Sequence, residues 1–144
     1  MPLPQESVER LERSFEQLKP NGERLVDVIY TRLFEKAPQV RAMFPDDLTE
    51  QRKKLLGAVA LAVGSLRSLD KLVPVLEEMG ARHVQYGALD AHYPVVVDAM
   101  LDAVEEVAGP IWTPELGADW KTALELISNT MIAGAHRSRV KAAA

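Results

Sequence analysis

The chain has no cysteine among its 144 residues. Disulfides, thiolate zinc sites, iron–sulfur ligation and cysteine nucleophiles are thereby excluded, and the composition is compatible with a reducing cytoplasm. A basic footprint is also missing. Lys and Arg number 17 against 21 Asp and Glu, giving a net charge of -4 and a pI near 5.4, which argues against nucleic acid as a partner. No uninterrupted apolar run is long enough to cross a bilayer, and the opening "MPLPQESVERLERSFEQ" has no apolar segment of signal-peptide type. The expectation is a soluble cytoplasmic protein with no membrane partner. Sustained alternation of period two, internal repeats, low-complexity tracts and linkers are absent as well. The implied fold class is all-α, in a single domain over residues 1–144, because this length supports one core and not two.

What is present is apolar spacing of three and four, cut into segments by prolines and capping residues. A first helix runs from about Gln5 to Leu18, with Val8, Leu11, Phe15 and Leu18 on one face. "KPNGE" breaks it, and Asn21 can cap a second helix from about Gly22 to Lys36. Pro38 begins a short helical turn that Pro45 ends. Asp47 with Glu50 three residues on resembles a capping box and opens a long helix to about Leu66. After "SLD" comes a fifth helix, and Asp90 can cap a sixth from about Ala91 to Ala108. Thr113, Pro114 and Glu115 mark the start of the last helix, which runs to about His136 and leaves 137–144 as a frayed tail. Seven helices of unequal length suit an irregular helical fold around a pocket better than a symmetric four-helix bundle.

The stretch "EEMGARHVQYG" places His83 at the end of a stripe formed by Leu72, Val75, Leu76 and Met79. An imidazole pointing where those side chains point needs a hydrogen-bond partner or a metal, because an unsatisfied buried polar group costs about 1–3 kcal/mol. Both possibilities stay open on spacing alone. Tyr30 lies four residues from Val26 and from Phe34, which aims a phenol inward. Gln51 shares a face with Leu55, Ala58 and Ala62. Phe44 sits between the two helices, flanked by Met43 and Pro45. By default, Lys54 and Arg82 are solvated charges, and His92 and His136 surface or boundary residues.

The segments "VIYTRLFEKAPQVRAMF", "EQRKKLLGAV" and "EEMGARHVQYGALDAHYPVV" resemble haem-pocket segments of the globin family. They are most similar to bacterial single-domain globins related to flavohaemoglobin globin domains and to neuroglobin. The resemblance covers about Gln5 to Ala135, in the family's order of tyrosine, proline, phenylalanine, distal glutamine, proximal histidine and following tyrosine. It implies a globin fold of about seven helices around haem b, iron protoporphyrin IX. In that frame His83 is the iron ligand, Phe44 packs on the porphyrin, Pro38 starts the short third helix, and Leu55 is an apolar wall one turn beyond Gln51. Tyr30 and Gln51 line the oxygen side as the candidate catalytic pair, Lys54 and Arg82 can pair with the haem propionates, and Tyr93 is the tyrosine behind the histidine. One departure stands out. Where flavohaemoglobins carry a glutamate coupled to that tyrosine, this sequence has Ala135, which implies a less electron-donating histidine. The implied ligands are O2, CO and NO, and the implied activity is reversible O2 binding with oxidation of nitric oxide to nitrate. The sequence ends where a flavin reductase domain would begin, so turnover would need a separate electron-donating reductase. A gas carrier or sensor without turnover, and a haemless globin-fold interaction module, are the alternatives. A monomer or weak dimer is expected.

Overall fold

The computed structural model describes residues 3–143. The described residues form six α-helices: α1 (Gln5–Leu18), α2 (Gly22–Lys36), α3 (Thr49–Gly64), α4 (Leu69–Gln85), α5 (His92–Ala108) and α6 (Pro114–Ala143). The expected seventh, opened by Pro38, is a 3-10 helix over Pro38–Met43. Its proline fixes φ and donates no N–H, and so short a run stays in the tighter form. No strand occurs among the described residues.

The main core is built from the expected faces. Val8, Leu11, Phe15 and Leu18 of α1 meet Leu25, Val26 and Ile29 of α2, with Val97, Val104, Leu116 and Trp120 closing the cluster. Inside it the Trp120 indole N–H donates to Ser14 Oγ at 3.1 Å, and that hydroxyl donates to the Leu11 carbonyl at 2.9 Å. Both polar groups are therefore satisfied where burial would otherwise penalise them. The most extensive helix pairings are α4 with α6 and α2 with α5.

The α4–α6 pairing rests on two glycines. A Cβ built on Gly80 would lie 2.6 Å from the carbonyl carbon of Met131, and one on Gly134 would lie 2.6 Å from that of Glu77. Backbone thus meets backbone at this crossing, an approach that other residues would block. Val75, expected in the inward stripe, is 39% exposed, because α4 turns its Leu72, Leu76 and Gly80 edge to α6.

Several expected helix ends differ. Thr113 does cap α6, its Oγ1 accepting from the Leu116 N–H at 3.0 Å. Asn21 makes no side-chain cap, since a 3-10 turn over Lys19–Asn21 leads directly into α2. Asp47 lies two residues before α3 and accepts from the Thr49 N–H at 2.9 Å and the Thr49 hydroxyl at 2.6 Å, while Glu50 pairs with Lys53 and completes no capping box. Asp90 caps nothing with its side chain. Its carboxylate accepts from His136 Nε2 at 2.6 Å and from Arg139 at 3.1 Å. The segment expected to fray from residue 137 instead continues α6 to Ala143, a helix of 30 residues. Arg137 pairs with Glu77, and Arg139 also donates to the Ala88 carbonyl at 3.2 Å, so charged contacts with α4 and the turn after it anchor this end.

Candidate functional site

His83 sits in the last turn of α4, in a closure that the local sequence explains. Gly87 takes φ 86, a left-handed value that suits glycine, and lets the Ala88 N–H reach the His83 carbonyl at 3.0 Å and the Gly87 N–H reach Val84 at 3.1 Å. The helix thus ends at Gln85, within the turn that carries the imidazole. His83 Nδ1 lies 2.6 Å from the Met79 carbonyl. A carbonyl only accepts, so Nδ1 carries a proton, and in the neutral tautomer of that kind Nε2 is the nitrogen with the free lone pair. α4 continues unbroken through Gly80, which is buried against α6.

Two tyrosines flank the imidazole. Tyr86 meets the ring edge-on at 5.6 Å between centroids and is 61% exposed, while buried Tyr93 lies at 6.4 Å. The Tyr93 hydroxyl is buried with no hydrogen-bond partner among the described residues. Burial pushes its phenol above the ordinary tyrosine value, with the Arg139 charge opposing the shift. Ala135, where the resemblance would place a glutamate, is 1% exposed and offers a methyl group.

The remaining candidate residues lie on α2, the 3-10 turn and α3. Tyr30, buried on α2, packs with Phe34 and Phe44 in a cluster that also contains Leu55 and the buried Val40 and Leu48. Its ring is edge-on to Phe44 at 5.6 Å, and Phe34 and Phe44 are edge-on to each other at 5.5 Å. Such edge-to-face pairs have a preferred geometry worth about 0.5–1.5 kcal/mol each. Burial raises the Tyr30 pKa, opposed by the neighbouring Gln51 amide and by the charge of Arg52. Tyr30 is consequently a phenol donor at neutral pH, with half-buried Gln51 beside it. Lys54 is exposed on α3, and Arg82 on α4 pairs with Glu78 at 3.7 Å. His92 and His136 lie outside this constellation. His92 Nδ1 accepts from the Leu89 N–H, and His136 faces Asp90.

The structure therefore brings Tyr30, Phe44 and Leu55 into one apolar cluster with Gln51 at its edge, and Tyr93 beside the His83 ring in a tilted arrangement. Sequence reasoning missed Arg41. Its guanidinium donates to the carbonyls of Phe44, Pro45 and Asp46 and lies 5.2 Å from the centre of the Phe34 ring. No periodicity marks such a residue. Gly80 was also missed, although a glycine inside a helical pattern is a recognisable sign of close packing.

An all-helical fold with one imidazole fixed by a backbone carbonyl and a phenol–aromatic cluster on other helices narrows the class of protein, and comparison with known proteins identifies that class. The globin family model matches residues 27–131, and the chain belongs to the globin family. It is 28% identical over 135 residues to the flavohemoprotein of Bacillus subtilis, a match that covers 90% of this chain and 33% of that protein. The chain thus spans about a third of the length of that relative. To leghemoglobin 2 of Sesbania rostrata it is 30% identical over 127 residues, covering 80% of this chain and 86% of the relative. Its fold matches that of an engineered carbene transferase derived from a putative nitric oxide dioxygenase of Rhodothermus marinus, with TM-score 0.88 and 24% identity over 99% of both chains. No helix among the described residues is long and apolar enough to cross a membrane.

Proposed function

We propose that the chain is a haem b globin that binds O2 reversibly and oxidises nitric oxide to nitrate when an external reductase supplies electrons. The observation that carries this reading is the 2.6 Å bond from His83 Nδ1 to the Met79 carbonyl, which leaves Nε2 as the ligand atom for iron. Globins generally bind haem, which supplies an iron that takes up diatomic gases and changes oxidation state. Phe44 and Leu55 provide the apolar wall against which the porphyrin would pack. Lys54 and Arg82 are the candidate partners of its carboxylates, with Arg82 exchanging Glu78 for a propionate. Tyr30 and Gln51 offer an O–H and an amide N–H to a gas ligand that carries negative charge, and a charge-assisted bond of this kind is about twice as strong as a neutral one. Burial keeps the proton on Tyr30, and the aromatic cluster around it excludes water.

The acceptor for the imidazole is a neutral carbonyl, and Ala135 adds no carboxylate behind Tyr93. His83 therefore gives up less charge than it would beside an acid, which suits holding and releasing oxygen more than cleaving it. The likeness to a flavohemoprotein supports nitric oxide oxidation, while the likeness to a leghemoglobin favours a second reading, oxygen carriage.

The test begins with the purified protein, which should show a strong near-ultraviolet haem band. His83→Ala should abolish stable haem binding or leave haem that added imidazole rescues, and a normal spectrum in that variant would refute the ligand assignment. Protein equilibrated with oxygen is then mixed with nitric oxide and a reductase. Nitrate produced far beyond one equivalent establishes turnover, and a single equivalent points to carriage.

A further inference from the structure

We infer that Arg41 is a positioning residue for the pocket, a clamp that holds the Phe44 ring against Tyr30. Residues 44–48 join the 3-10 turn to α3 without helical structure, and Phe44 itself is extended at φ -116 and ψ 152. A segment of this kind has no ladder of its own to fix where its side chain points. Here one guanidinium performs that task. Its Nη1 donates to the Phe44 carbonyl at 3.3 Å and the Pro45 carbonyl at 3.0 Å, and its Nη2 donates to the Asp46 carbonyl at 3.1 Å. Three successive carbonyls thus converge on one planar cation.

The same guanidinium lies 5.2 Å from the centre of the Phe34 ring, within the range of a cation–π contact. Phe34 is edge-on to Phe44 at 5.5 Å and tilted against Tyr30 at 5.9 Å. The backbone and the ring of Phe44 are therefore both held by Arg41, one through its carbonyl and the other through Phe34. The Phe44 N–H completes the enclosure by donating to the Arg41 carbonyl at 3.1 Å. Only arginine meets these demands together. Lysine is a compact point charge with no planar face, and cannot span three carbonyls while stacking on a ring.

The effect on haem retention rests on the proposed role of Phe44, and the experiment separates the two claims. Ring-to-ring NOEs between Phe44 and Tyr30 report the clamp without reference to any ligand. They should be strong in the wild type and lost in both Arg41→Met and Arg41→Lys. Persistence of these NOEs in Arg41→Met, or wild-type behaviour of Arg41→Lys, would overturn the clamp. Transfer of haem to an excess of acceptor apoglobin reports the pocket. Arg41→Met should speed it by about 5- to 30-fold, the range that 1–2 kcal/mol of lost positioning gives. The double variant with Phe44→Ala should be no faster than Phe44→Ala alone, because both changes remove one interaction. Full additivity would overturn the proposal, since Arg41 would then act elsewhere. If Phe44→Ala leaves haem transfer unchanged, the role of Phe44 fails, and the NOEs still decide the clamp.

Discussion

Gly80→Ala adds one methyl group where α4 crosses α6. The new Cβ would lie 2.6 Å from the carbonyl carbon of Met131 and 2.9 Å from its Cα. Carbon atoms in ordinary contact sit about 3.5–4.0 Å apart, so the two helices must separate by roughly 1 Å. Overpacking of this sort costs about 1–3 kcal/mol, and the obstacle here is backbone that has no rotamer to change, which places the cost near the upper end. Alanine regains about 0.5–1 kcal/mol through its helix propensity, leaving a net loss of about 2 kcal/mol. For a chain of this size that lowers Tm by about 4–8 °C. Gly57→Ala is the internal control. Gly57 is exposed on α3 and its Cβ would meet nothing within 4 Å, so propensity acts alone and Tm should rise by a few degrees, about 2–4 °C per kcal/mol gained. Scanning calorimetry on both variants gives the signs. A shift of the same sign in the two, or a Gly80→Ala variant as stable as the wild type, would refute the argument from backbone contact. Because His83 lies three residues beyond Gly80, Gly80→Ala should also weaken haem binding, whereas Gly57→Ala should not.

Tyr30→Phe removes one charge-assisted donor and almost no volume, so stability should hardly change while O2 dissociation accelerates about 10- to 100-fold, the equivalent of about 1.5–3 kcal/mol. Carbon monoxide carries less negative charge and its dissociation should change much less, so equal effects in stopped-flow traces of the two gases would indicate altered access instead. Asp119→Asn tests the acid limb of stability. Asp119 is 7% exposed, and burial raises its pKa, but the hydrogen bonds from Arg10, the neighbouring Ser7 hydroxyl and the charge of Arg10 bring it below the ordinary aspartate value. With Arg10 Nε at 2.5 Å and Nη2 at 3.2 Å, this pair contributes stability that is complete above about pH 4, where an unfolded aspartate ionises, and is lost as pH falls through the lower folded value. The variant should be less stable at neutral pH by about 1.5–3 kcal/mol and should lose less further stability on acidification. Parallel urea-midpoint profiles for variant and wild type between pH 7 and about pH 3 would refute it.

The helices could be read from the sequence because each buries one face, and a face leaves a period. Val26, Tyr30 and Phe34 share the inward side of α2, and the order of Tyr30, Phe44, Gln51 and His83 along the chain matches that of a known family. Caps were less readable. Asn21 and Asp90 have the right chemistry at the right places, yet Asp90 finds stronger partners in His136 and Arg139, which lie 46 and 49 residues away. The last helical turns were misjudged for the same reason. Nothing within 137–143 signals order, and what holds them is Glu77, Ala88 and Asp90. Arg41 shows the same limit, since a local pattern cannot reveal that three carbonyls will turn toward one side chain.

The way α4 is mounted has a consequence for how the molecule breathes. Its main support is α6, through the Gly80–Gly134 crossing and the Arg137 and Arg139 contacts, whereas α1, α2 and α5 share a core with the first half of α6. Opening events in proteins follow contiguous cooperative units rather than single residues. Amide hydrogen exchange should accordingly divide the chain into two populations. The slower comprises α2, α5 and α6 up to about Leu124. In the faster, α4 and the far end of α6 exchange together as one unit, so His83 and the residues 136–139 that hold its helix become accessible to solvent at the same free energy.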